Sequence, residues 1–348
     1  MIVMKKFVTV VMAAMLTLSL VACGGGSSSS SSAAPAEPAA EAAAEPAAEA
    51  PASLGKMTMG TGGTAGTYYA FGGILGQYMK NKGGVDVTVV STDGSKANIQ
   101  GIDIGDYQLG TVQSDVMAYA WEGSKSFADE GAINTFRVIG GLYAETVQLV
   151  TMDPSIKSVA DLAGKSVSIG APGSGVYFNA IDVLTAAGLS EDTIKPQYLS
   201  FADSAEGLKD GKIDAAFIVA GAPTPAITEL TTTNDAYLVP IDGEIGEKVL
   251  ASCPYYTSLA IPAGTYKGQD QDVTTVTVKA TMIISADATE EQAYAVTAAI
   301  FDNIDDITAE HAKGAELSLE NATSGMAVPF HAGAAKYFKE KGIDVPTE

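Results

Sequence analysis

Short runs of apolar and β-branched residues alternate along most of this chain with longer segments whose apolar positions recur every three to four residues. The first kind predicts strands over 56–59, 85–92, 107–112, 137–142, 166–169, 197–200, 215–219 and 236–240. The second predicts helices over 68–80, 175–187, 204–210 and 224–230, with two more at 290–304 and 332–341. Apolar strands separated by helices call for parallel sheets covered on both faces, an α/β architecture. Ligands in such sheets bind beyond the carboxyl ends of the strands. Two runs break the alternation. Residues 145–152 continue past a strand that is already complete, and 274–285 (TTVTVKATMIIS) is long and rich in β-branched residues. Both read as crossover strands. If the chain leaves one lobe near Thr146 and returns near Val276, residues 56–146 and 274–348 form lobe one and 147–273 form lobe two. Paired crossing strands make a hinge on which a cleft closes.

Two glycine-rich loops of similar design follow strands about a hundred residues apart. One is Gly60-Thr61-Gly62-Gly63-Thr64-Ala65-Gly66-Thr67-Tyr68-Tyr69 and the other Gly170-Ala171-Pro172-Gly173-Ser174-Gly175-Val176-Tyr177-Phe178. Each opens a helical segment. A strand–glycine loop–helix joint offers backbone N–H groups and the positive end of a helix dipole. One joint in each half suggests two lobes closing on a small anion. Neither loop supplies a base, an acid or a metal ligand, so the chemistry on offer is holding.

The ends of the chain add a location. Lys5 and Lys6 precede a nearly unbroken apolar stretch, 7–21, of 15 residues. That falls short of the roughly 20 needed to span a bilayer. Leu20-Val21-Ala22-Cys23 followed by three glycines has the spacing of a lipoprotein cleavage site. Residues 1–22 are therefore expected to be a signal peptide, with Cys23 lipidated and anchored to the outer face of the cell membrane. Residues 24–55, Gly/Ser and then an Ala/Pro/Glu repeat, read as a tether with an r.m.s. span of roughly 30 Å.

A net charge of −21 argues against nucleic acid as a partner. Cys253 is the one thiol besides Cys23 and is expected to be buried and structural. Gly60-x-Gly62-x-x-Ala65 formally matches a dinucleotide fingerprint, but the acid it needs about 20 residues on is lacking; Asp93 comes too late. His311 and His331, the only histidines, have no metal-ligand spacing. No enzyme activity, cofactor or metal is expected.

The segments GTGGTAGTYY, VQSDV, APGSG, IKPQYLSF, LKDGKIDAAFIVAGAPTPAI, IPAGTYKGQDQDV and AELSLENA together resemble the TAXI family of TRAP-transporter solute receptors over essentially all of residues 56–345. The resemblance implies a two-lobed, type II periplasmic-binding-protein fold, each lobe a mostly parallel sheet flanked by helices and joined by hinge strands. It also implies a monomer that delivers a small organic acid or amino acid to a sodium-coupled TRAP permease. Glutamate, glutamine and dicarboxylates such as 2-oxoglutarate are the substrates associated with such receptors. A sensor built on the same fold is the alternative.

Residues placed at the carboxyl ends of strands are the candidates for ligand contact. In lobe one they are Thr61, Gly62, Gly63, Thr64 and Tyr68 of the first loop, then Ser91, Ser95 and Asn98, then Gln113 and Ser114. In lobe two they are Gly173, Ser174 and Gly175, with Pro223 and Thr224 after a later strand. Glu145, at the crossover, is a candidate for an amine or hinge contact. Thr64, Ser174 and Thr224 have helix capping as the plainer role; Asp115 reads as a helix N-terminal charge, and Tyr177 and Phe178 as core. Arg137, the only arginine, starts a strand away from these ends. A carboxylate would then be held by N–H groups and hydroxyls, each netting about 0.5–1.5 kcal/mol. Lys96 is the remaining candidate for a charge.

Overall fold

The computed structural model describes residues 51–348, so the expected signal peptide, the lipidated Cys23 and most of the tether lie outside the described residues. Ordered attachment begins slightly earlier than expected. Leu54 N–H donates to Gly84 O at 2.8 Å, and the Gln292 side chain donates to Leu54 O at 2.9 Å.

The strands are β1 (Lys56–Gly60), β2 (Asp86–Val90), β3 (Leu109–Gln113), β4 (Phe136–Thr151), β5 (Ser166–Ser168), β6 (Lys195–Gln197), β7 (Ala215–Ala220), β8 (Tyr237–Val239), β9 (Thr257–Ile261) and β10 (Val273–Ser285). The helices are α1 (Thr67–Gly83), α2 (Ser95–Asp103), α3 (Ser114–Glu122), α4 (Gly175–Ala186), α5 (Phe201–Lys209), α6 (Pro225–Thr233), α7 (Gly243–Ser252), α8 (Glu290–Phe301), α9 (Ile304–Glu310), α10 (Leu319–Thr323) and α11 (Ala332–Glu340). The helix read over 290–304 is two, parted at Asp302-Asn303. α2, α3, α7, α10 and β9 add to the elements read from the sequence.

Strand order is β2-β1-β3-β10-β4-β7-β5-β6, with β8 beside β4 and β9 beside β10. The two ends are parallel, as apolar strand–helix alternation demands: β2-β1-β3 at one, β7-β5-β6 at the other. The middle is antiparallel, because β4 and β10 run through it in opposite directions. The strand read over 137–142 and the crossover read over 145–152 are one continuous β4. It pairs with β10 up to Thr146, opposite Thr277, and with β7 from Thr146 to Thr151. The Thr277 hydroxyl donates to Glu145 O at 2.8 Å, and the Thr275 hydroxyl to Val147 O. A strand that changes neighbours in mid-course carries both ends of the sheet on one backbone.

Most of the hydrophobic core is one cluster under α1, α3, α8 and α11, anchored by Phe71, Leu75, Met59, Tyr143 and Phe338. A smaller cluster beneath α5 and α6 holds Ile218, Ile227 and Leu230. Cys253 is buried as expected, its thiol 3.2 Å from the Tyr119 hydroxyl.

Candidate functional site

Five helices begin around one cavity of about 360 Å³. The residues immediately before α1, α2, α3, α4 and α5 are Gly66, Gly94, Gln113, Ser174 and Ser200, and every one of them lines that space. The cause is the parallel sense of the sheet ends: each parallel strand finishes on the same side, and the following helix starts there. Only α5 has its first turn satisfied by a side chain, Ser200 accepting from Asp203 N–H. The starts of α1, α2, α3 and α4 have no side-chain cap. Each helix start favours an anion by about 0.3–1 kcal/mol when exposed and up to about 2 kcal/mol when partly buried. Their convergence favours an anion beside them without a basic residue.

The first glycine loop is a turn closed by Gly66 N–H on Gly63 O at 2.9 Å. Thr64 lies within that turn, exposed at the rim, and does not cap α1. The second loop turns through Gly170 and Gly173 at φ of 95° and 83°, where a side chain would be strained. Ser174 occupies the cap position of α4, but its hydroxyl donates to Ala171 O at 2.7 Å.

Contacts across the cavity bring the two ends of the sheet together. Ala97 N–H donates to Gly173 O at 3.3 Å, and Ala226 N–H to Ala65 O at 3.1 Å. The Thr67 hydroxyl donates to Gly221 O at 2.8 Å, and the Gln113 amide to Asn179 Oδ1 at 2.8 Å. Gly175 is required here, since a Cβ at that position would fall 1.4 Å from Gln113 Oε1.

The floor is acidic and carries several buried polar atoms without partners. Glu145, on β4, is 2% exposed, and its Oε1 has no hydrogen-bond partner. Gln113 is likewise 2% exposed, with Oε1 unpartnered. The hydroxyls of Tyr68 and Tyr143 are also buried and unpartnered. Burial pushes the Glu145 carboxyl up to about 8; Tyr143 and the charge of Lys313 oppose this, while Glu316 and Asp115 reinforce it. Tyr143 is close enough to favour the carboxylate but makes no well-formed hydrogen bond with it. Burial also raises Tyr68 and Tyr143 well above the usual phenol range, with Glu145 next in effect. Asp115, buried behind Gln113, is pushed up to about 6 by desolvation.

Of the residues singled out from the sequence, Gly62, Gly63, Thr64, Tyr68, Ser91, Ser95, Gln113, Glu145, Ser174 and Gly175 line the cavity together. The others stand behind it. Thr61 is buried, its hydroxyl donating to Val90 O at 2.7 Å. Asn98 is a strut, donating to Thr61 O at 2.6 Å and Thr111 O at 2.8 Å and accepting from Thr92. Ser114 accepts from Lys279 N–H at 3.1 Å. Gly173 packs beside Asp93 and Ala97. Thr224, after Pro223, has its N–H on the Tyr266 hydroxyl at 2.8 Å and its own hydroxyl on Gly221 O. Lys96 pairs with Glu130 at 2.6 Å. Tyr177 is half-buried and reaches Glu191 rather than the cavity.

Two contributors escaped the sequence reading. Leu199 and Ser200, between β6 and α5, and Phe201 and Ala202, which open α5, form part of the wall. Lys313, from the tail, lies 5.7 Å from the Tyr143 ring and is paired with Glu316 at 2.5 Å. Glu316 in turn accepts from Ala144 N–H at 2.8 Å, next to Glu145 on β4.

The sequence matches the NMT1-like family over residues 59–342, and the chain belongs to that family. A solved protein from Bordetella bronchiseptica RB50 superposes with a TM-score of 0.52 at 17% identity, covering 82% of this chain and 88% of its own. A Streptococcus mutans protein of glutathione import by a cystine ABC importer gives 0.49 at 15% identity, over 76% and 97%. The alkanesulfonate-binding protein of Xanthomonas axonopodis pv. citri gives 0.46 at 17%, over 84% and 92%. The likeness to the Bordetella protein speaks to fold alone, and the mixed sheet with parallel ends, flanked by helices, is the α/β class expected from the sequence. Among the described residues no helix is long and apolar enough to cross a membrane.

Proposed function

We propose that this NMT1-like protein is an extracytoplasmic receptor that encloses one small carboxylate and passes it, unreacted, to a membrane transporter. The observation that carries the reading is the set of four helix starts, free of side-chain caps, aimed at one cavity. A carboxylate there accepts several backbone hydrogen bonds at once, and several such bonds suffice for micromolar affinity, about −8 kcal/mol. Glutamate, glutamine and 2-oxoglutarate are the candidate ligands, and a sodium-coupled TRAP permease is the proposed recipient. Residues 56–146 with 274–348 would act as one lobe and 147–273 as the other, pivoting where β4 and β10 cross. Cys23 would anchor the protein to the outer face of the membrane.

Thermal denaturation of the purified protein across a panel of organic acids and amino acids tests the reading. A true ligand at 100 times its Kd adds about 2.7 kcal/mol of stability. No shift with any carboxylate in the panel would count against it. Uptake driven by a sodium gradient rather than by ATP would identify the recipient.

A further inference from the structure

We infer that the cavity is built for a zwitterion, a ligand carrying a protonated amine beside its carboxylate, with the amine seated on Glu145 and Gln113. The inference rests on the carboxylate reading above and narrows it to α-amino acids, leaving simple dicarboxylates out.

The helix starts account for one half of such a ligand. The other half must answer the floor. No Lys, Arg or His lines the cavity among the described residues, whereas Asp93 and Glu145 do. Glu145 Oε1 is buried without a hydrogen-bond partner, and the residue makes no ion pair among the described residues. The nearest cation that acts on it, Lys313, is committed to Glu316.

Gln113 cannot turn its amide to offer a donor instead. Asn179 places its NH₂ on Asp115 at 2.9 Å and on the Tyr256 hydroxyl at 2.7 Å, and Tyr256 donates onward to Asp182 at 3.1 Å. Asn179 therefore faces Gln113 with its oxygen, and Gln113 must answer with its NH₂. Its Oε1 is left against Gly175, at the lining of the cavity, without a partner.

Two buried acceptors without a hydrogen-bond partner are costly unless a ligand brings donors, since the hydroxyls of Tyr68 and Tyr143 nearby make no well-formed bond to either. An ammonium brings three N–H bonds and a positive charge, the match for a carboxylate beside an amide oxygen. A dicarboxylate brings only acceptors, and can meet Glu145 only while that carboxyl stays protonated, whereas an ammonium pairs with its charged form.

The test is isothermal titration of the full chain with matched pairs of acids, each an α-amino acid and the same acid without its amine. L-glutamate is paired with glutarate, L-glutamine with 4-carbamoylbutanoate, L-alanine with propionate and L-leucine with 4-methylpentanoate. In whichever pair binds, the amino acid is expected to bind at least a hundredfold more tightly than its partner. Glu145→Gln should erase most of that preference, weakening the amino acid at least thirtyfold without weakening the deaminated acid. Glu145→Asp, which keeps the charge, should retain a preference for the amine. A deaminated acid that binds within threefold of its amino acid overturns this inference and leaves the carboxylate reading standing. Binding of 2-oxoglutarate with silence from every pair also overturns this inference and leaves the carboxylate reading standing, and silence from 2-oxoglutarate and every pair removes both. The wild-type comparison decides the matter even if a Glu145 variant does not fold.

Discussion

Replacing Gly175 by alanine adds one methyl group at the point where the two ends of the sheet meet. That Cβ would lie 1.4 Å from Gln113 Oε1, 2.6 Å from its Cδ and 3.0 Å from Val116 Cγ2. The helix cannot yield easily, because the α4 start is tied down by the turn before it, so Gln113 must swing away. It then gives up its 2.8 Å bond to Asn179 and leaves a buried amide oxygen without a donor. That loss is about 1–3 kcal/mol. Alanine recovers up to about 1 kcal/mol of helix propensity over glycine. Under the proposed hinge the gain acts on folding and the loss on closure, so the two separate experimentally. Melting temperature without ligand should hardly change, while calorimetric affinity for the tightest ligand of the panel should fall by about 5- to 150-fold, the equivalent of 1–3 kcal/mol. Gln113→Ala should also weaken binding, and adding Gly175→Ala to it should cost nothing further, since the obstructing oxygen is gone. Unchanged affinity in Gly175→Ala, or full additivity in the pair, would refute the reasoning.

Stability should depend on pH through Glu145, whose carboxyl is raised to about 8 from 4.5. The folded state holds that proton more tightly than the unfolded state, so between about pH 4.5 and 8 the ligand-free protein loses stability as pH rises, by a few kcal/mol at most. Asp115, raised to about 6, adds to the fall over the lower part of that window. Glu145→Gln should flatten the slope from pH 6 to 8 in denaturant titrations; an unaltered slope would assign the effect elsewhere. Asn98→Ala should act on the scaffold: it breaks bonds to Thr61, Thr111 and Thr92, and a loss of about 2–4 kcal/mol in unfolding free energy is expected. A variant as stable as the wild type would show those bonds to be dispensable.

Legibility in the sequence followed the range of the forces involved. The glycine loops, the alternation of strand and helix and the crossovers are local patterns, and each marked its element within a few residues. Capping was less legible. Thr64 looked like a cap because hydroxyls near a helix start usually are, yet the turn from Gly63 to Gly66 places the helix start two residues later. Asn98 and Ser95 share one helix start, and nothing in their spacing says that one faces the loop above and the other the cavity. α2 passed unnoticed because only Ile99 and Ile102 give it a buried apolar stripe of any size. Lys313 was out of reach, since its approach to Tyr143 depends on how the tail returns to the sheet.

In the proposed function the grip on the carboxylate belongs to the peptide chain itself, and every amino acid except proline carries the same N–H. Mutation cannot easily delete it. The surrounding side chains, Leu199, Phe201 and Val219 among them, are free to drift, so descendants of this receptor can change the cargo they favour without reinventing how its charged end is held. Loss of the two acceptors at the floor would be the change that turns an amino-acid carrier into a carrier of plain acids.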